Sequence, residues 1–209
     1  AGHEIFIEED AGTAAGFPDS DYAEAGAKTA SATEIAGSVD IFVHVQPPTS
    51  EEVGSLKKGS IVVSTLSART NAPAVASLTS AGATVLAMEL VPRIARAQRM
   101  DVLSSQASIA GYKAALLAAN SLGKYLPMMM TAAGTIPPAK ILVLGAGVAG
   151  LQAIATARRL GAVVEAFDVR AAAGEQVESL GAKFIQPPAA EDAEGAGGYA
   201  RAQTEDEQA

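Results

Sequence analysis

Apolar residues recur along this chain in two rhythms, and the alternation between them outlines its elements. Residues 3–8, His3-Glu4-Ile5-Phe6-Ile7-Glu8, alternate apolar and polar side chains, the period-two signature of a strand. This strand opens the chain without a methionine and without an evident partner, so a preceding segment is expected. Short apolar runs at 41–45, 61–66 and 84–88 predict further strands, with helical patterns between them at 51–56 and 73–80. Strand and helix alternating in this way predict a parallel sheet. A polar stretch rich in Arg and Gln, 92–101, leads into a long helical pattern over 105–126.

Residues 127–138 contain Gly134, Pro137 and Pro138 and cannot continue that helix, because proline lacks the amide donor and its ring clashes with the preceding turn. A second unit is expected to begin there: strand 140–144, helix 148–160, strand 163–167, helix 171–180 and a short strand 183–186. That is one βαβαβ half. From Ala189 onward Ala, Gly and acidic residues follow without periodicity, whereas a doubly wound domain has two such halves. The expected architecture is therefore α/β, with two Rossmann-like subdomains, 1–103 and 104–209, each on a parallel sheet and joined by a long linker helix. The second is expected to be half complete.

Composition narrows the chemistry. Hydrophobic residues are 49% of the 209 but aromatics only 4%, which suits alanine-rich helices packed closely on sheets. A net charge of -8 makes nucleic acid and an anionic membrane surface poor partners. There is no cysteine, and His3 and His44 do not make a ligand set, so thiolate and metal catalysis are not expected. No apolar run reaches the roughly 18 to 20 residues of a membrane span, since Lys113, Asn120 and Lys124 interrupt the longest helix, so no direct membrane insertion is expected.

Residues 141–150, Ile-Leu-Val-Leu-Gly-Ala-Gly-Val-Ala-Gly, form a buried-type strand that runs into G-x-G-x-x-G and then a helix. Gly145 permits the tight turn, Gly147 lets the backbone approach a pyrophosphate, and Gly150 lets the helix pack close to its strand. With Ala146 and Val148 these residues present helix-terminal amides and partial positive charge to phosphates. Asp168 follows the next strand, roughly 20 residues on, where a carboxylate accepts hydrogen bonds from the adenosine ribose and repels a 2′-phosphate. This favours NAD over NADP, although Arg170 is suited to the opposite choice.

A second constellation is Pro92-Arg93-Ile94-Ala95-Arg96-Ala97-Gln98-Arg99-Met100-Asp101 with Ser104-Ser105-Gln106. Its pattern fits a solvated, salt-bridged linker. Its position between two expected subdomains also fits a small-molecule cleft whose polar groups bond a carboxamide and a ribose. His3 reads as a surface strand residue, His44 sits near a strand end, and Met128 to Met130 suit adaptable packing.

These residues resemble the alanine dehydrogenase and transhydrogenase group of NAD-binding proteins, and within it the transhydrogenase side. The resemblance rests on Met88-Glu89-Leu90-Val91-Pro92-Arg93-Ile94, Arg96-Ala97-Gln98, residues 101–106, 127–138 and 147–159, Asp168-Val169-Arg170, and Glu175-Gln176-Val177-Glu178. It implies an NAD(H)-binding component of a proton-translocating NAD(P) transhydrogenase, a membrane-associated oxidoreductase. Arg93, Gln98, Asp101 and Ser104 would surround the nicotinamide and its ribose, with Gln98, Arg93 and Asp101 nearest the hydride transfer. Gly145, Ala146, Gly147, Val148 and Gly150 would hold the pyrophosphate, and Asp168, Val169 and Arg170 the adenosine side. The resemblance further implies a homodimer on the cytoplasmic side of a bacterial inner membrane, partnered by a membrane-spanning component and a component that carries NADP(H).

Direct hydride exchange needs no general base, whereas an alanine dehydrogenase uses a lysine and a histidine that the resemblance puts at His44 and Ser67. Neither residue type expected there is present. An amino-acid dehydrogenase and a non-catalytic NAD-responsive module are the competing readings.

Overall fold

Capping signals and apolar runs set most of the element boundaries in the computed structural model, which describes residues 2–185. The described residues divide into two compact units between Asp101 and Val102.

In the first unit, β1 (Phe6–Glu8), α1 (Asp19–Glu24), β2 (Lys28–Ala30) and α2 (Ala32–Ser38) precede β3 (Ile41–Val43), α3 (Ser50–Ser55), β4 (Ile61–Ser64), α4 (Ala72–Ser80) and β5 (Thr84–Ala87). Strands β3, β4 and β5 form a parallel sheet in that order. The opening strand does have a partner, contrary to the expectation from sequence: β1 pairs in parallel with β2, Phe6 beside Lys28 and Glu8 beside Ala30. Helix α1 supplies the crossover, and Lys28 also reaches Glu4 with its ammonium.

Capping boxes start two of these helices. The Ser31 hydroxyl accepts the Glu34 amide while the Glu34 carboxylate accepts that of Ser31, and Thr49 and Glu52 repeat the exchange on α3. Asn71 caps α4, whose second residue is Pro73. Between sheet and helices lie Ile35, Ala36, Phe42, Val53, Val62, Leu66 and Leu78, all buried.

In the second unit α5 (Val102–Ser121) is followed by β6 (Met129–Thr131), β7 (Gly134–Ile136), β8 (Lys140–Leu144), α6 (Val148–Arg159), β9 (Val163–Phe167), α7 (Ala173–Ser179) and β10 (Lys183–Ile185). The segment expected only to break a helix is an antiparallel hairpin of β6 and β7, turning through Ala132 and Ala133 into Gly134, which takes φ 128. Strands β10, β9 and β8 form a parallel sheet in that order over a core of Ile154, Ala157, Val164, Ala166 and Val177. The aperiodic stretch expected from Ala189 onward lies outside the described residues.

Two features of this unit bear on the site. Helix α5 presses against the first turn of α6: a Cβ on Gly111 would stand 2.0 Å from the Ala149 carbonyl oxygen. Strand β8, expected to be buried on both faces, buries one. Ile141 and Val143 pack on the core, whereas Leu142 is 55% and Leu144 74% exposed. A strand of a parallel sheet ordinarily has both faces covered, and among the described residues only one face of β8 is.

Candidate functional site

The chain turns sharply where β8 ends. The Gly145 amide donates to the Phe167 carbonyl at 2.8 Å, extending the ladder by one bond, and Gly145 then takes φ 94, a conformation open to glycine at little cost. Gly147 precedes α6, and no side chain caps this helix. The first amide to bond within α6 is that of Leu151, which donates to the Gly147 carbonyl at 2.8 Å, so the amides of Val148, Ala149 and Gly150 stand ahead of the helical ladder. A Cβ on Gly147 would meet no atom within 4 Å, which leaves room at the positive end of the helix dipole for an anion to reach the backbone. Gly150 is the opposite case. Its Cβ would fall 1.8 Å from the Gly145 carbonyl oxygen and 3.6 Å from Val143, so the third glycine is what lets α6 close onto the loop and its strand. This donor-rich, uncapped cradle fits a pyrophosphate.

Asp168 follows β9 and is 7% exposed. Its Oδ2 accepts the Ala146 amide at 2.7 Å and Arg170 Nη2 at 2.9 Å; its Oδ1 accepts the Arg170 amide at 2.9 Å and Arg170 Nε at 2.8 Å. Burial alone would raise the carboxyl's pKa. The Arg170 guanidinium, the two amides and the arginine's charge outweigh it and bring the pKa down to about 2. The folded value lies below the ordinary 3.8, so the carboxylate stabilises the fold above about pH 4 and loses that contribution as pH falls toward 2. The loss amounts to about 2 kcal/mol. Denaturation of wild type and Asp168→Asn should show their stability difference shrinking by that amount between pH 5 and 2; a constant difference would contradict the assignment.

Arg170, the residue suited to a 2′-phosphate, thus lies against the carboxylate that would repel one. The guanidinium is bound in a two-toothed pair to Asp168. Val169, between them, is half-buried.

Val91 to Ile94 lead into a 3-10 helix, Ala95–Met100, pinned by buried Ala97, and the Asp101 amide donates to the Gln98 carbonyl at 3.2 Å. Arg93 and Gln98 are exposed and Asp101 is half-buried in the first unit; Ser104 is half-buried in the first turn of α5 in the second.

Two residues at the alternative dehydrogenase positions are held in structural roles. His44 Nδ1 lies 2.7 Å from the Gln46 carbonyl, Nε2 lies 3.5 Å from the buried Glu52 carboxylate, and the ring stacks on Phe42. Ser67 stands at φ 54, strained for a residue with a side chain, because Glu89 accepts the amides on either side of it, from Leu66 at 3.0 Å and Ala68 at 2.8 Å. Burial opposes ionisation of Glu89, but those amides keep its pKa below the usual glutamate value. Sequence reasoning passed over this clasp, since nothing local links Glu89 to Ser67.

Two family models match, described as alanine dehydrogenase/PNT, N-terminal domain, over residues 1–110 and alanine dehydrogenase/PNT, C-terminal domain, over 114–206. The chain is 51% identical over 208 residues to an NAD(P) transhydrogenase subunit alpha protein of Rhodospirillum rubrum, covering 96% of this chain and 54% of that protein. A transhydrogenase crystal structure from Sinorhizobium meliloti superposes with a TM-score of 0.84 at 53% identity, over 88% of this chain and 55% of that one. Alanine dehydrogenase of Mycobacterium tuberculosis is more distant, 29% identical over 88% of this chain and 49% of that protein. The chain thus spans about half the length of the curated relatives it matches.

Proposed function

The chain belongs to the alanine dehydrogenase/PNT family, and on that premise we propose that it is NAD(H)-binding sequence of a proton-translocating NAD(P) transhydrogenase. The observation that carries this reading is the pairing of an open, uncapped helix N-terminus at Gly147 with a carboxylate fixed at the end of the neighbouring strand. Phosphates need the first and a ribose diol needs the second.

When bound, NAD(H) supplies the hydride that is exchanged with NADP(H) on a partner component. The residues of this chain bind and orient. Amides from Gly147 to Gly150 hold the pyrophosphate, and Asp168, flanked by Val169 and Arg170, receives the adenosine side. Arg93, Gln98, Asp101 and Ser104 hold the nicotinamide and its ribose. No proton needs to be removed from a substrate carbon, so catalysis rests on bringing two rings into near-attack geometry. The whole protein acts as a homodimer on the cytoplasmic face of a bacterial inner membrane, with membrane-spanning and NADP-binding components. Among the described residues no helix is long and apolar enough to cross a membrane.

Gln98→Ala is expected to slow hydride transfer far more than it weakens NADH binding, because Gln98 acts where the two rings meet. Single-turnover kinetics with the NADP-binding partner test this: weakened NADH affinity with an unchanged transfer rate would contradict it. The amino-acid dehydrogenase reading is disfavoured by the structural engagement of His44 and Ser67. Full-length protein that oxidised NADH only in the presence of pyruvate and ammonium, and not by exchange with an NADP analogue, would reinstate it.

A further inference from the structure

The ionised carboxylate of Asp168 has about four acceptor positions, two on each oxygen, and all are filled. One position on each oxygen is held by backbone: the Arg170 amide on Oδ1 and the Ala146 amide on Oδ2. The other position on each is held by one side chain, that of Arg170, through Nε on Oδ1 and Nη2 on Oδ2. The backbone bonds fix the carboxylate in place whatever the guanidinium does. The guanidinium bonds can be exchanged, and the arginine side chain is 18% exposed.

A vicinal diol presents two hydroxyl donors, one for each oxygen. We propose that Arg170 is a built-in competitor for the adenosine ribose: in the free chain its guanidinium occupies the two acceptor positions on Asp168 that the ribose hydroxyls take, and binding exchanges one pair of donors for the other. This rests on the dinucleotide reading above and adds a specificity device to it. A ligand with a 2′-phosphate has no hydrogen there to donate. It can attract the arginine but offers only the 3′-hydroxyl in exchange, which leaves one acceptor position of the buried carboxylate unfilled beside the phosphate charge, so the latch and Asp168 select the unphosphorylated ribose together. A fraction of the binding free energy is spent on opening the latch, which lowers apparent affinity by the fraction of chains that stand open.

Calorimetric titration of the full chain with ADP-ribose, and with an analogue whose adenosine ribose lacks both hydroxyls, tests the proposal. Arg170→Ala should bind ADP-ribose more tightly, by about tenfold if the latch is open about a tenth of the time, and should leave affinity for the diol-less analogue unchanged. Arg170→Lys, with a compact ammonium that cannot bridge both oxygens, should shift affinity the same way by less, and it preserves the test if the alanine variant does not fold. Weaker binding of both ligands to the variants would mean that Arg170 contacts the ligand or shapes the loop, and would overturn the latch. Equal tightening of both would also overturn it, because the gain would not depend on the diol. Wild type that binds neither ligand would instead remove the dinucleotide reading on which the latch depends.

Discussion

Gly150→Ala is expected to lower the unfolding free energy by about 2–4 kcal/mol and to abolish measurable NADH binding. The sign is the informative part. Alanine is the better helix former by roughly 0.5–1 kcal/mol, so on propensity alone this change in the first turn of α6 would stabilise the chain. The added Cβ would instead fall 1.8 Å from the Gly145 carbonyl oxygen, which is backbone and cannot rotate away. Either the helix lifts off the loop or the loop opens, and both displace the amides of Val148, Ala149 and Gly150. Gly111→Ala should press on the same turn from the other side, through the Ala149 carbonyl. Urea unfolding followed by circular dichroism, with an NADH titration, checks both variants. Wild-type stability with retained affinity in Gly150→Ala would mean that the close approach does not shape the site.

Asp168→Ala is expected to act twice. Removing the carboxylate takes the acceptor from the Ala146 amide and the two-toothed partner from the largely buried guanidinium of Arg170, at a cost of about 3 kcal/mol in stability. It also removes the acceptor for the ribose, which should weaken NADH binding by about 1–3 kcal/mol. The two effects separate experimentally, since denaturation without ligand reads the first and titration at a temperature where the variant is folded reads the second. A variant with wild-type stability would deny the clasp; one with wild-type NADH affinity would deny the ribose contact.

The later half of the fold was more legible than the earlier half, for identifiable reasons. Strands β8 and β9 were bounded to the residue because Pro138 and Gly145 bracket the first and Gly161 precedes the second. Strand β2 was missed: Lys28-Thr29-Ala30 is short and mostly exposed, and its existence depends on pairing with β1. The start of α2 was available, since Ser31 and Glu34 have capping-box spacing, but no strong apolar stripe follows to draw attention to it. At the site, glycine spacing announced the turn and the helix. It could not announce that Gly111 would meet Ala149, because that approach joins helices distant in sequence. Asp168 and Arg170 were both singled out, but nearness in sequence does not say which way an arginine turns, and their two-toothed pairing is legible only in the structure.

On the function proposed above, the Gly145 loop and Asp168 receive the adenosine half of NAD(H). NADH and NADPH carry the same nicotinamide and pyrophosphate and differ only at the adenosine 2′ position, so comparing them isolates the corner that Asp168 occupies. Calorimetric titration of this chain with each should show NADH bound and NADPH weaker by about tenfold or more, the equivalent of about 1.4 kcal/mol. Equal affinity for the two, or preference for NADPH, would contradict the role given to Asp168 and the assignment of this site to NAD(H).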